Sequence, residues 1–443
     1  MRAFHHLLAN NLAANITNFT VWFALTFWVF LETRSVFATG MIAGIYLVLT
    51  AGLGFWFGSL VDHHRKKAVM LGSSAASLAL YLAAFAVLRL TPAERMAEIA
   101  GLPLWSFIGL NMAGVIAGNA RTIALPTVVT LLIAPDRRDR ANGLVGMATG
   151  VGFLTTSAIS GFLVAWGGMT YALTFAAAAT GAAMLHLAWI KVDEPPPGAG
   201  TETEARPRRV DIAGTIRVIA AVPGLFALIL FSCFNNFLGG IFMALMDAYG
   251  LSLMAVEAWG LLWAGVSVAF ILGGVVIART GLGANPLRTL LMVNLVLWAV
   301  AAVFTVQSSI LLLAAGCAVW LFLSPYAEAA EQTTLQKVVP YERQGRVFGF
   351  AQSVEQAASP LTAFLMGPLT QFVFIPLMTT GLGSRLIGDW FGRGPERGIA
   401  LVFCLAGLVG VLVTIAAFKS RYYRQLSAAY ARGGANAPPP TPA

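Results

Sequence analysis

Three glutamates, Glu328, Glu331 and Glu355, stand inside runs of otherwise apolar residues in the second half of the 443-residue chain. A carboxylic acid withdrawn from water prefers its neutral form, and a nearby cation restores the charged one. An acid whose surroundings alternate between the two takes up a proton in one state and releases it in the other. Glu328 and Glu331 share a helical face with Trp320 and Ser324, and Glu355 follows in the next apolar run. Glu355 is the first choice for such proton exchange, with Glu328 and Glu331 behind it. The competing reading is static: the acids pair with Arg121, Lys337, Arg343 or Arg346 in a gate or a fixed network.

A second set of residues could bind rather than exchange. Asn11, Asn15, Asn18 and Trp22 recur at helical spacing on one face of the first apolar run, and Ser232, Asn236, Gly239, Met243 and Asp247 do the same on the seventh. With Asn235, Phe23, Phe231 and Trp320 they offer amides to orient a ligand and aromatic surface to cover it, a pattern suited to an amphipathic small molecule. Interhelical hydrogen bonding and ring packing are the alternative. His5, His6, His63 and His64 show no metal-ligand spacing, and Cys233, Cys317 and Cys404 are far apart, so neither a metal nor another cofactor is expected. The chain has no P-loop, HExxH or GxSxG sequence, which removes ATP-driven chemistry and the common hydrolases.

These residues need elements that hold them in lipid. The chain is 58% hydrophobic and 11% charged, with a mean hydropathy of +0.78, beyond any ordinary soluble domain. Its apolar runs are continuous rather than alternating, which selects a helical membrane protein over a β-barrel. Twelve runs of spanning length begin near Leu8, Val36, Ala68, Leu104, Asn142, Met169, Pro223, Glu257, Leu287, Ile310, Val347 and Gly398. The implied loops place 21 Lys and Arg on one side and 6 on the other, with Arg121 inside a span. That asymmetry puts both termini in the cytoplasm of a plasma membrane, a bacterial inner membrane. The formal charge of +9 is thus a topogenic signal facing membrane lipids, and no nucleic-acid partner is expected.

Expected domains are a six-helix half over 1–190, a cytoplasmic linker with a surface helix over 191–222, a second six-helix half over 223–420, and a tail over 421–443 disordered at its end. The linker is Pro-rich at Pro195-Pro196-Pro197, and Ile212, Ile216 and Ile219 give its last part an apolar face. Glu32, Arg34, Asp247 and Glu257 fall near the outer ends of their spans. The halves read as distant copies. Asn18-Phe19 answers Asn236-Phe237, and Gly58 answers Gly274. Pro135-Asp136-Arg137-Arg138-Asp139-Arg140-Ala141-Asn142-Gly143 answers Pro340-Tyr341-Glu342-Arg343-Gln344-Gly345-Arg346.

Between the second and third spans lies a charged turn, Gly58-Ser59-Leu60-Val61-Asp62-His63-His64-Arg65-Lys66-Lys67. Gly58, Leu60, Asp62, Lys66 and Lys67 resemble the loop between helices two and three of the major facilitator superfamily, with His63 and Arg65 departing from its pattern. The Arg-then-Gly turns after the fourth and tenth spans are similar to those of the same family. Around Glu328-Ala329-Ala330-Glu331-Gln332 and residues 345–356, the chain looks like the drug:proton antiporter branch that includes macrolide-efflux and enterobactin-exporter-like proteins. The glycines Gly143, Gly146, Gly150, Gly152 and Gly161 are similar to that branch's fifth-helix pattern, with Thr156-Ser157 and Ser160-Gly161 in place of its Gly-Pro and Gly-Gly. The resemblance covers nearly the whole chain except the linker and the tail.

It implies an all-α polytopic fold of twelve transmembrane helices in two pseudo-symmetric halves. The expected activity is export of a drug-like or siderophore-like molecule by alternating access with proton antiport, carried out by a monomer that is not an enzyme. It further implies that Gly58, Asp62, Arg65, Lys66 and Lys67, with Arg121, Arg138, Arg343 and Arg346, form a gating charge network. A lipid or lysolipid flippase, or an uncoupled facilitator, is the alternative, with a membrane-embedded enzyme behind both.

Overall fold

The computed structural model describes residues 2–33, 36–98, 101–192, 194, 212–254 and 256–432. All elements among these are helical, as expected where lipid leaves backbone groups no partners but their own helix. Asp193, the linker stretch 195–211, Arg34 and the tail 433–443 lie outside the described residues. By contacts the chain divides into two compact units. Unit 1 comprises Met1–Arg138, Ala148–Ile216 and Tyr341–Ser353; unit 2 comprises Asp139–Met147, Arg217–Pro340 and Val354–Ala443.

The helices of the first half are α1 (Arg2–Thr33), α2 (Val36–His63), α3 (Lys66–Leu90), the single turn α4 (Ala93–Met96), α5 (Leu102–Gly118), α6 (Ala120–Leu132), α7 (Arg138–Trp189) and the linker helix α8 (Ile212–Ala221). The fourth span is α5 and α6 together, interrupted at Asn119. The fifth and sixth are the two arms of α7, bent where Gly167 and Gly168 leave helical geometry and Gly168 takes φ 58°, a conformation suited to glycine. In unit 1, Val21, Leu25 and Trp28 of α1 bury against Tyr81 of α3, Phe107 and Met112 of α5 and Leu173 of α7. Small residues let these helices close: Ser73 and Ser77 of α3 donate to the carbonyls of Ala117 and Gly114 at 2.7 Å each.

The second half continues with α9 (Leu225–Leu253), α10 (Val256–Thr280), α11 (Pro286–Val303), α12 (Ile310–Val338) and α13 (Gln344–Leu369). After a π-helical turn at Thr370–Phe374 come the short α14 (Ile375–Thr379), α15 (Leu382–Leu386) and α16 (Gly388–Phe391), then α17 (Pro395–Lys419) and α18 (Arg421–Ala431). Asn285, Ser309 and Ser420 accept from backbone N–H groups at the starts of α11, α12 and α18, and prolines occupy the first positions of α11 and α17. The core of unit 2 is aromatic. Phe242 stacks on Phe403 with centroids 4.8 Å apart and on Trp320 at 5.6 Å, while Trp298 meets Trp320 at 5.1 Å. Arg397, 1% exposed, donates to the carbonyls of Thr305 and Val306 just beyond α11 and lies over the Phe391 ring.

Ten segments among the described residues are long and apolar enough to cross a membrane. The 28-residue α2 and the first arm of α7 bring the crossings to twelve. Two differences from the sequence reading stand out. The turn at 58–67 is helical through His63, with only His64 and Arg65 between α2 and α3. The tail opens with an eleven-residue helix, α18, which packs Leu426 inward.

Candidate functional site

Three helices of unit 2 bring the acids together. Glu331 of α12 and Glu355 of α13 are close enough to act on each other electrostatically, with Ser232 of α9 beside Glu331. The Oε1 atoms of both glutamates are buried with no hydrogen-bond partner. Glu328 and Cys233 also act on Glu355, and the Cys233 thiol donates to the Val354 carbonyl at 3.5 Å. Glu328, one turn before Glu331, is itself exposed.

Three of the four cations proposed as static partners have contacts of their own. Arg121, 1% exposed, donates within unit 1 to Ser74 Oγ at 2.6 Å and to Asn10 Oδ1. Lys337 Nζ sits 4.0 Å from the Tyr430 ring centroid. Arg346 faces Asp62, and Arg343 lies in the tight turn Tyr341–Arg343 ahead of α13.

On α1 the amide face divides. Asn18 Oδ1 accepts from the buried Tyr81 hydroxyl at 2.8 Å, so Asn18 is tied to α3. Asn11 Oδ1 and Trp22 Nε1 are buried with no hydrogen-bond partner, and Asn15 is half-buried beside them. Trp22 packs edge-on against Phe23 at 4.9 Å and near Tyr46 at 5.7 Å. Unit 1 therefore offers an amide oxygen and an indole N–H, both unspent, next to aromatic surface.

On α9 the counterparts are more occupied. Asn235 accepts from Trp298 Nε1 at 2.6 Å and donates to the Phe231 carbonyl at 2.7 Å. Asn236 donates to the Ser232 carbonyl at 3.1 Å, while its own carbonyl accepts from Ser359 of α13. Trp320 belongs to the aromatic core, and Phe231 lines a pocket beneath α18.

The charged turn forms a clasp inside unit 1. Asp62 is 2% exposed, and its two oxygens accept from the backbone N–H groups of Gly345 at 2.7 Å and Arg346 at 3.0 Å at the start of α13, with the Arg346 guanidinium 3.3 Å away. A carboxylate at a helix N-terminus is favoured by the exposed N–H groups and the helix dipole. Burial pushes this carboxyl up to about 7, against the opposing pull of the Arg346 N–H, the Lys66 and Arg346 charges and the Gly345 N–H. Backbones touch here, since a Cβ on Gly345 would meet Asp62 Oδ1 at 2.5 Å and the Gly58 carbonyl at 2.7 Å. Lys66 donates to the Val61 carbonyl at 2.8 Å and lies over the Tyr341 ring. Lys67 caps the end of α7 through the carbonyls of Ala188 and Ile190. Arg65 is exposed at the head of α3, and Arg138 caps the end of α6 through Thr130 and Ile133.

Sequence reasoning missed several partners. Glu194, at the head of the linker, receives the N–H groups of Lys66 at 2.5 Å and Lys67 at 2.8 Å. In unit 2, Asp139 at the start of α7 accepts from the Leu282 N–H at 2.9 Å, and Asn142 donates to Thr333 and Gln336. Their signal was the charge-rich Pro-to-Gly turn itself, which marks a place and names no partner.

A twelve-span helical bundle with acids and amides inside its spans defines a membrane transporter fold. The Major Facilitator Superfamily model matches residues 7–363, and the chain belongs to that family. The fold is shared with solved structures at low identity. The human organic anion transporter MFSD10 (TETRAN) matches with a TM-score of 0.68 and 13% identity, over 93% of this chain and 99% of that one. A bacterial homologue of the iron transporter ferroportin in its outward-facing state gives 0.68 and 16%, over 95% and 100%. The proton:xylose symporter XylE gives 0.63 and 14%, over 96% and 99%. A search of curated protein sequences returned no match.

Proposed function

We propose that this chain is a secondary active exporter of amphipathic small molecules, of the drug:proton antiporter branch, working by alternating access with proton antiport. The observation that carries this reading is the Glu331–Glu355 pair, two neighbouring acids of transmembrane helices whose buried Oε1 atoms have no hydrogen-bond partner, with Arg121, Lys337 and Arg346 in contacts of their own. An intramembrane acid without a fixed counter-ion is a site where a proton supplies neutrality. Loss of that proton when the site opens to a less acidic compartment gives the release step; Glu355 and Glu331 share it, with Glu328 alongside. Asn11 and Trp22, with unspent polar atoms beside Phe23, are the proposed contacts for the substrate's polar and apolar parts. The clasp at Asp62, with Gly58 and Arg346, is the proposed gate. The proposed setting is the bacterial inner membrane, with a monomer whose termini are both cytoplasmic.

Everted vesicles with an imposed pH gradient and a panel of amphipathic compounds test this. Glu355→Gln and Glu331→Gln are each expected to lower gradient-driven transport at least about tenfold, in line with loss of a group that acts in proton transfer, while substrate exchange without a gradient persists. Full gradient-driven transport in both variants overturns the coupling role. Wild-type transport indifferent to the gradient favours an uncoupled facilitator or a lipid flippase.

A further inference from the structure

The end of unit 2 where α9 and α11 begin and α17 finishes holds a shallow apolar groove beneath α18, of which about 40 Å³ is cavity and the rest opens outward. Ala227 and Phe231 of α9, Leu291 of α11, Ala417 of α17, and Tyr423 and Leu426 of α18 line it. α18 is seated rather than loose. Ser420 caps it through the Tyr423 N–H at 3.2 Å, Ser427 bonds Asn285 at 3.3 Å, Lys337 lies over Tyr430, and the Leu426 side chain closes on Gly224, which takes φ 86°. The walls are nearly all hydrocarbon, so water has little to bond there.

The rim is of opposite character. Arg421 and Arg424 are exposed on α18, Lys419 and Arg432 are exposed at its two ends, and Arg288 is exposed in the first turn of α11. From Arg397 to the C-terminus the sequence contains no acid. Residues 433–443 contain no charged and no large apolar side chain. A hydrocarbon pocket with a basic rim, at the ends of membrane-spanning helices, complements one kind of molecule. We infer that this pocket binds an anionic phospholipid, its acyl chain lodged beneath α18 and its phosphate on Arg421 and Arg424. Bound so, the lipid holds α18 against the ends of α9, α11 and α17.

Native mass spectrometry of the purified full-length protein titrated with phosphatidylglycerol or phosphatidylcholine of matched chains tests the inference. Phosphatidylglycerol is expected to bind at least about fivefold more tightly, and Arg421→Gln and Arg424→Gln to weaken it about fivefold each, as expected for one basic residue near an anionic lipid, with phosphatidylcholine unchanged. Ala227→Phe fills the pocket and is expected to abolish tight phosphatidylglycerol binding; Ala417→Phe does so from another helix if the first variant fails to fold. Equal binding of the two lipids, or phosphatidylglycerol binding unmoved by the arginine variants, overturns it. A truncation after Arg432 that raises phosphatidylglycerol affinity roughly tenfold, about 1.4 kcal/mol, marks the tail as the resident occupant and also overturns it.

Discussion

Asp62 meets two backbone N–H groups and a guanidinium, yet burial still holds its carboxyl above the ordinary value near 3.8, up to about 7. A folded-state value raised in this way gives a stability contribution that is complete below the ordinary value and is lost as pH rises through about 7. The melting temperature in detergent is therefore expected to carry a component that falls between about pH 4 and pH 8, and Asp62→Asn is expected to remove it. An unchanged pH profile in that variant would show that Asp62 does not titrate in this window. Glu331 and Glu355 of unit 2 lie inside the spans, and their buried Oε1 atoms accept from no donor, which is why their variants are read in transport.

The clasp also depends on how closely two helices approach. Gly345 faces the Gly58 carbonyl and Asp62 Oδ1, so Gly345→Ala must push α13 off α2. A loss of about 1–3 kcal/mol is expected, the usual cost of overpacking, measured by chemical unfolding in detergent; a neutral effect would show that the helices separate freely. The lengths and ends of most helices were legible in the sequence because lipid sets a minimum apolar length and charges or prolines mark the ends. The pairing of Asp62 was not, since its partners lie 283 and 284 residues away. Helix α18 escaped notice because three tyrosines, one leucine and several arginines read as a polar tail until Leu426 and Tyr423 are seen packed. The amide face of α1 was visible as spacing, yet spacing could not tell Asn18, bound to Tyr81, from Asn11, whose oxygen is free.

At the level of the whole chain, the proposed topology of twelve crossings puts Arg2 and Arg432 on one side of the membrane, proposed as the cytoplasmic side because Lys and Arg are in excess there. Single cysteines at Arg2, Arg432 and Arg385, introduced after removal of Cys233, Cys317 and Cys404, check this with an impermeant thiol reagent. The first two are expected to resist labelling in intact cells and to react in everted vesicles, and Arg385→Cys to do the reverse; labelling of all three from one side would break the topology. The two repeat copies differ in one respect with a bearing on ancestry. In unit 1 the acid is Asp62, on the earlier helix, and it receives N–H groups from the helix that follows in the pairing. In unit 2 the place answering to Asp62, counted from Gly274, is Ala278, and the acid is Asp139 on the opposite partner, receiving the Leu282 N–H. The two contacts thus use opposite orders of donor and acceptor. A chimera that replaces the second half with a repeat of the first would set a carboxylate at position 278 near Asp139, so the halves have ceased to be exchangeable parts.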